Sequence, residues 1–148
     1  MIQPPKNTKY RKYQRNYLGS TPAKKATTVC FGAYGLQCNQ STMVSLTQLE
    51  TCRRMLRRTI KRQAPVWIRA FPWKPLYKQD QGHRMGKGKG DRYAWVCPVK
   101  PGQILLEVGG QMDEAIVRKV FSSIASHLGI PMKLVHANPA LVAGPSRK

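Results

Sequence analysis

The chain is 148 residues long, of a size for one ordinary domain, and carries 26 Lys plus Arg against 6 Asp plus Glu, a formal charge of +20. Its hydrophobic content of 41% supports a core and separates it from basic disordered tails, while the charge disfavours the compact state until a polyanion neutralises it. No apolar run approaches the ~18 residues of a membrane span, and the N-terminus lacks the apolar stretch of a secretory signal, so no presequence is expected in this chain.

Charge is distributed unevenly. Residues 1–49 hold seven basic residues and no acid, whereas residues 103–138 balance Glu107, Asp113 and Glu114 against Arg118, Lys119 and Lys133. The first 25 residues interleave Lys6, Lys9, Arg11, Lys12 and Arg15 with Tyr10, Tyr13 and Tyr17 and read as an extended basic arm. Cations for phosphates and aromatic rings for bases suit contact with RNA.

Residues 27–36 read as a strand interrupted by Gly32 and Gly35. A helix follows: Thr47 and Glu50 have capping-box spacing, and Leu49, Cys52, Leu56 and Ile60 fall on one face, widened by Met55 and Thr59. Arg53, Arg54, Arg57, Arg58, Lys61 and Arg62 crowd the rest of it. Like charges four residues apart cost a few tenths of a kcal/mol each, roughly, so this face is expected to lie on phosphates that relieve the repulsion. Pro65 closes the region, and residues 66–71 have strand propensity, with Trp67 expected in the core.

Residues 72–90 show no periodicity and read as a long projecting loop. Gly82-His83-Arg84-Met85-Gly86-Lys87-Gly88-Lys89-Gly90 is its distinctive part: four glycines permit close backbone approach, and three cations accompany them. A nucleotide-phosphate-binding enzyme built on this loop is the alternative reading. Against it, no Ser or Thr follows either Gly-Lys pair, Asp91 breaks the dinucleotide pattern, and the residues that follow are strand-like. Trp73 is expected to be exposed; His83 and Met85 suit either a base contact or anchorage of the loop.

Residues 92–97 and 104–108 read as strands separated by a Pro101-Gly102 turn. A second helix is expected with Asp113 and Glu114 in its first turn, Ile116, Val117, Val120, Phe121, Ile124 and Leu128 on its apolar face, and Gly129 as its stop. Residues 132–136 form a last strand, and 138–148 a tail. Two helices among strands without regular alternation give an α+β class, with domain limits at 26–137 between arm and tail. Cys30, Cys38, Cys52 and Cys97 have no paired spacing and the three histidines are scattered, so reduced thiols and no metal or other cofactor are expected. No catalytic constellation is present.

Arg84-Met85-Gly86-Lys87-Gly88-Lys89-Gly90 resembles the signature of the universal L-sixteen family of the large ribosomal subunit. Lys9-Tyr10-Arg11-Lys12, Phe31-Gly32-Ala33-Tyr34-Gly35-Leu36, Lys61-Arg62-Gln63, Trp67-Ile68-Arg69-Ala70-Phe71-Pro72, Lys74-Pro75 and Pro101-Gly102 stand in that family's order and spacing, so the resemblance spans residues 3–136. It implies a two-layer α+β fold with a hammerhead-like β motif and a projecting loop. It also implies binding to large-subunit ribosomal RNA beside the aminoacyl-tRNA site, a part in positioning A-site tRNA, and late entry into subunit assembly. Residues 82–90 would be the loop nearest the peptidyl transferase region, and the arm, the Arg-rich helix and Arg69 would meet RNA. Neighbouring large-subunit ribosomal proteins are the other partners implied, with neither membrane nor homo-oligomer.

Gly82-His83, residues 98–102 and Glu107-Val108-Gly109-Gly110 resemble mitochondrial members, which implies the mitochondrial matrix, the alternatives being bacterial cytoplasm or a plastid ribosome. Residues 38–43 depart from the basic, glycine-rich turn common in bacterial members, and Trp73 stands where those often have Asp.

Overall fold

The structure is a computed structural model that describes residues 2–10, 12–15, 19–61, 63–110 and 112–137. Its elements run β1 (Tyr34–Cys38), β2 (Thr42–Ser45), α1 (Leu46–Ile60), β3 (Val66–Ile68), β4 (Lys74–Lys78), β5 (Asp91–Val99), β6 (Ile104–Val108), α2 (Glu114–Leu128) and β7 (Met132–His136). Two antiparallel sheets result, a four-stranded one in the order β3-β6-β1-β7 and a three-stranded one in the order β2-β5-β4. With two helices this is the expected α+β class.

Helix α1 begins earlier than the sequence suggests. Ser45, not Thr47, is its N-cap: Ser45 Oγ accepts from the Gln48 amide at 3.2 Å, and the Ser45 amide donates to Gln48 Oε1 at 2.8 Å. This is a complete capping box displaced two residues toward the N-terminus. Glu50 is thereby released to take up Arg53. Leu49, Cys52, Leu56 and Ile60 are buried as the spacing requires, and α1 packs on α2, β2, β3 and β5. Helix α2 is capped by Asp113 and ended by left-handed Gly129, and buries Val117, Val120, Phe121, Ile124 and Leu128. Ile116, expected on that apolar face, is 41% exposed.

Three strand expectations change. The strand foreseen at 27–36 is confined to Tyr34–Cys38, because residues 30–32 turn their amides onto a buried side chain. Strand β2, unforeseen, pairs with β5 through the stretch that departs from the bacterial pattern. Strand β4 lies inside the segment read as structureless; Pro75 is tolerated because β4 is an edge strand, where a missing N–H need not break a ladder.

The buried side chain is Glu107. Every residue of β6 is buried, and Glu107 has no exposed surface. Its Oε2 accepts from the amides of Cys30 at 3.2 Å, Phe31 at 2.7 Å and Gly32 at 3.1 Å, and its Oε1 pairs with the Arg69 guanidinium. Gly32 is required there, since a Cβ would collide with the Val108 carbonyl. A charge so buried is tolerable only when paired and fully hydrogen-bonded, and removing it leaves both an uncompensated guanidinium and bare amides. Glu107→Ala is therefore expected to destabilise the fold by about 3–5 kcal/mol, read as a lowered urea midpoint. An unchanged midpoint would show that the carboxylate is dispensable.

Candidate nucleic-acid interface

The glycine-rich segment is the tip of a long hairpin connection between β4 and β5, whose last paired residues are Lys78 and Asp91. Gly82, Gly86 and Gly88 have φ of 81°, 83° and 89°, values that L side chains rarely adopt, with open space around each. Gly90 serves differently: a Cβ there would strike the Lys78 carbonyl, so its absence lets the two roots of the hairpin approach. Gln79 Nε2 donates to the Gly88 carbonyl at 2.8 Å and the His83 amide to the Asp80 carbonyl at 3.3 Å. Residues 81–89 are exposed throughout, Met85 at 96%, so Met85 and His83 do not anchor the loop by burial.

Lys89 ties the loop to the N-terminal arm. Its Nζ donates to the Tyr13 carbonyl and lies 4.9 Å from the Tyr77 ring centroid, while Lys12 Nζ donates back to the Lys89 carbonyl. Tyr13 meets Trp73 edge-on at 6.5 Å and Tyr10 edge-on at 6.0 Å, and Lys9 sits 5.5 Å over the Tyr10 ring. Lys6, Lys9, Lys12 and Arg15 are all exposed. Arm and loop, separate in sequence, thus form one cationic and aromatic surface.

The helix supplies a second one. Arg54, Arg57, Arg58 and Lys61 are exposed. Arg54 Nε lies 3.4 Å from Glu50, and among the described residues Arg57, Arg58 and Lys61 form no ion pair. Arg53 is partly withdrawn: its Nε and terminal nitrogen donate to Glu50 at 3.0 and 2.6 Å, leaving 22% of its side chain exposed. Arg69, expected on RNA, is paired with Glu107, which leaves 17% of its side chain exposed, and lies 5.0 Å from the Phe31 ring centroid, which itself stacks on Trp67. Sequence spacing could not show this, because Arg69 and Glu107 meet only across the β3–β6 pair. Arg11, Arg62 and residues 138–148 lie outside the described residues.

Among the described residues no group of three or more His, Cys, Asp or Glu side chains comes together that could hold a metal ion. A hollow of about 640 Å³ between α1 and α2 is rimmed by Arg54, Arg58 and Lys119 over Met55, Ile116 and Val120, away from the glycine-rich loop. Cys38, Cys52 and Cys97 are buried, and burial raises their thiol pKa values, that of Cys52 to about 11, which suits packing rather than nucleophilic chemistry. No helix among the described residues is long and apolar enough to cross a membrane.

Glu50 sets a pH dependence for the Arg-rich helix. The Arg53 hydrogen bonds hold its carboxyl at about 2 against an ordinary 4.5; burial opposes them, and the Ile2 amide, 3.2 Å away, assists. A depressed carboxyl stabilises the fold fully above its unfolded value and ceases to do so as pH falls through its folded value. Glu50→Gln should therefore cost on the order of 1–3 kcal/mol at pH 7, with the difference from wild type shrinking below pH ~4.5 and vanishing near pH ~2. Thermal melts of both proteins across that range check it.

The family model described as Ribosomal protein L16p/L10e matches residues 5–135. Among curated relatives, the chain is similar to the large ribosomal subunit protein uL16 of Kosmotoga olearia, at 45% identity over 131 residues, covering 88% of this chain and 92% of the relative. The uL16 proteins of Petrotoga mobilis and Aeromonas hydrophila are 43% and 38% identical, covering 88% and 91% of this chain and 92% and 96% of their own lengths.

Proposed function

The chain belongs to the ribosomal protein L16p/L10e family, and on that footing we propose that it binds large-subunit ribosomal RNA beside the aminoacyl-tRNA site. In this reading it helps to position A-site tRNA and to complete subunit assembly. Its role is that of a structural constituent of the large ribosomal subunit, not an enzyme; the nucleotide-binding alternative for residues 82–90 is set aside with membership of the family. Residues 1–25 act as the RNA-contacting arm, 26–137 as the folded domain and 138–148 as a tail.

The observation that supports this best is the fusion of the arm with the glycine-rich loop into one exposed cationic surface. Lys6, Lys9, Lys12, Arg15, Arg54, Arg57, Arg58 and Lys61 neutralise phosphates, while Arg53 and Arg69 contribute only what Glu50 and Glu107 leave exposed. Arg84 and Lys87, exposed on the loop, reach furthest toward tRNA and the peptidyl transferase region. Ribosomal neighbours would cover part of the remaining surface. The mitochondrial matrix is supported by the motif variants at residues 98–102 and 107–110, whereas the relatives compared are bacterial, and a bacterial cytoplasmic ribosome fits them equally. Gradient fractionation of organelles and cytoplasm from the source cells decides between the two.

Log affinity for isolated large-subunit RNA is expected to fall linearly with log salt, with a slope of roughly −0.7 to −0.9 per phosphate neutralised. Equal binding to heparin, DNA and ribosomal RNA fragments at every salt concentration would rule out specific recognition. Replacing Arg53, Arg54, Arg57 and Arg58 together should deplete mature subunits in sedimentation profiles. Replacing Arg84 and Lys87 should leave subunits assembled but slow in peptide-bond assays. Identical defects in the two variants would remove this division of labour.

A further inference from the structure

Resting on the RNA-binding reading, we propose that the cleft between the arm and the β4–β5 hairpin is a stacking site for unpaired nucleobases of a single-stranded RNA segment. Tyr13, Tyr77 and Tyr93 line it together with Arg15 and Lys89. Trp73 and Tyr10 extend the aromatic surface along the arm, through the edge-on contacts of both rings with Tyr13.

A defect in the sheet produces the site. Leu76 pairs with Ala94 but Tyr77 pairs with Arg92, so Tyr93 is the extra residue of a bulge in β5. A bulge leaves its extra residue out of the ladder and re-aims its side chain. Tyr93 is 62% exposed, Trp73 46% and Tyr10 57%, an unusual concentration of uncovered rings for so basic a surface. Large aromatic side chains left in water are unfavourable unless something covers them.

The cations determine what can cover them. Arg15 and Lys89 line the cleft and Lys12 is tied to Lys89, whose Nζ lies 4.9 Å from the Tyr77 centroid. An occupant must present flat apolar faces and negative charge at short, regular intervals, which is the chemistry of a single strand with its bases turned out. A duplex presents its charge but hides its faces. The hydrogen bonds of Lys12 and Lys89 to arm and loop carbonyls hold the two walls of the cleft together before any ligand arrives.

The test uses the full chain and two probes, a ten-nucleotide oligoadenylate and an abasic ribose-phosphate oligomer of equal length. Wild type is expected to bind the oligoadenylate at least about tenfold more tightly, since stacking contributes ~1–3 kcal/mol per base. Tyr93→Ala and Trp73→Ala should each weaken oligoadenylate binding roughly 5- to 10-fold while leaving abasic binding unchanged, and Tyr93→Phe should retain wild-type affinity. Both positions are exposed, so circular dichroism of the variants should match wild type. Equal wild-type affinity for the two probes, or equal weakening of both by the Ala variants, overturns the stacking site and leaves phosphate binding standing. Binding of a proline-rich peptide at these residues in place of the oligoadenylate overturns it as well. Failure of wild type to bind either oligomer in a salt-dependent manner removes the RNA-binding reading and the stacking site with it.

Discussion

The carboxylate of Glu107 is the interaction on which the fold's geometry turns. It sits in the middle of the four-stranded sheet with no exposed surface, and it is satisfied from two directions, by the amides of residues 30–32 and by Arg69. The chain before β1 is thereby wrapped against β6, and the chain after β3 is drawn in as well, with the Arg69 amide on the Leu105 carbonyl at 2.9 Å. That bond continues the β3–β6 register by one residue, whereas residues 30–32 lie outside any strand. A buried ion pair is not in itself a source of stability, because desolvation offsets much of the attraction. What it contributes here is register: only one arrangement of residues 30–32, Gly32 included, fits between the carboxylate and the Val108 carbonyl.

The same economy of acids explains how a chain of +20 folds. Of six carboxylates, Glu50 and Glu107 are buried, and each takes up an arginine that would otherwise add to the surface field. Each of these two buried carboxylates is thereby matched by a cation. Among the described residues, the cations of the arm, the Arg-rich helix and the glycine-rich loop form no ion pair, save Arg53 and Arg54 with Glu50. A solvated surface of this kind in an independent protein would intersperse acids to limit repulsion. Leaving the exposed cations unmatched raises the free energy of the isolated chain and lowers that of the complex with a polyanion, so the partner completes the electrostatics that the sequence leaves open.

How far these features could be read from sequence follows from how local their causes are. Helix α2 with its Gly129 stop, and strands β6 and β7, were legible almost to the residue, with Asp113, read into the first turn of α2, standing one position earlier as its cap. The start of α1 was misplaced because Ser45/Gln48 and Thr47/Glu50 both offer a capping box. In the structure Ser45 and Gln48 form the box, while Glu50 is occupied by Arg53 and the Ile2 amide. Strand β4 was hidden by Pro75, which reads as a break unless an edge position is known. The pairing of Arg69 with Glu107 spans 38 residues, and no periodicity encodes it. For the candidate site, the cationic segments were visible as charge runs, but their union was not: Lys12 and Lys89 lie 77 residues apart and meet only because the arm folds back over β4.

That union changes what each segment can do alone. A glycine-rich loop with three left-handed glycines samples many conformations, and ordering it on a ligand costs entropy for every residue fixed. The arm removes part of that cost at the loop's root, where Lys89 is held by Tyr13 on one side and by the ring of Tyr77 on the other. The tip from Arg84 to Lys87 is exposed, while the root presents a set of rings and cations held by these contacts. Phosphate contacts alone would bind any strand, since counterion release is blind to sequence and nearly blind to structure. On the reading proposed above, exposed rings that an unstacked base can cover add a demand for single-stranded RNA beside the loop. On our reading, a small domain in this way couples a general affinity for RNA to one particular way of lying on it.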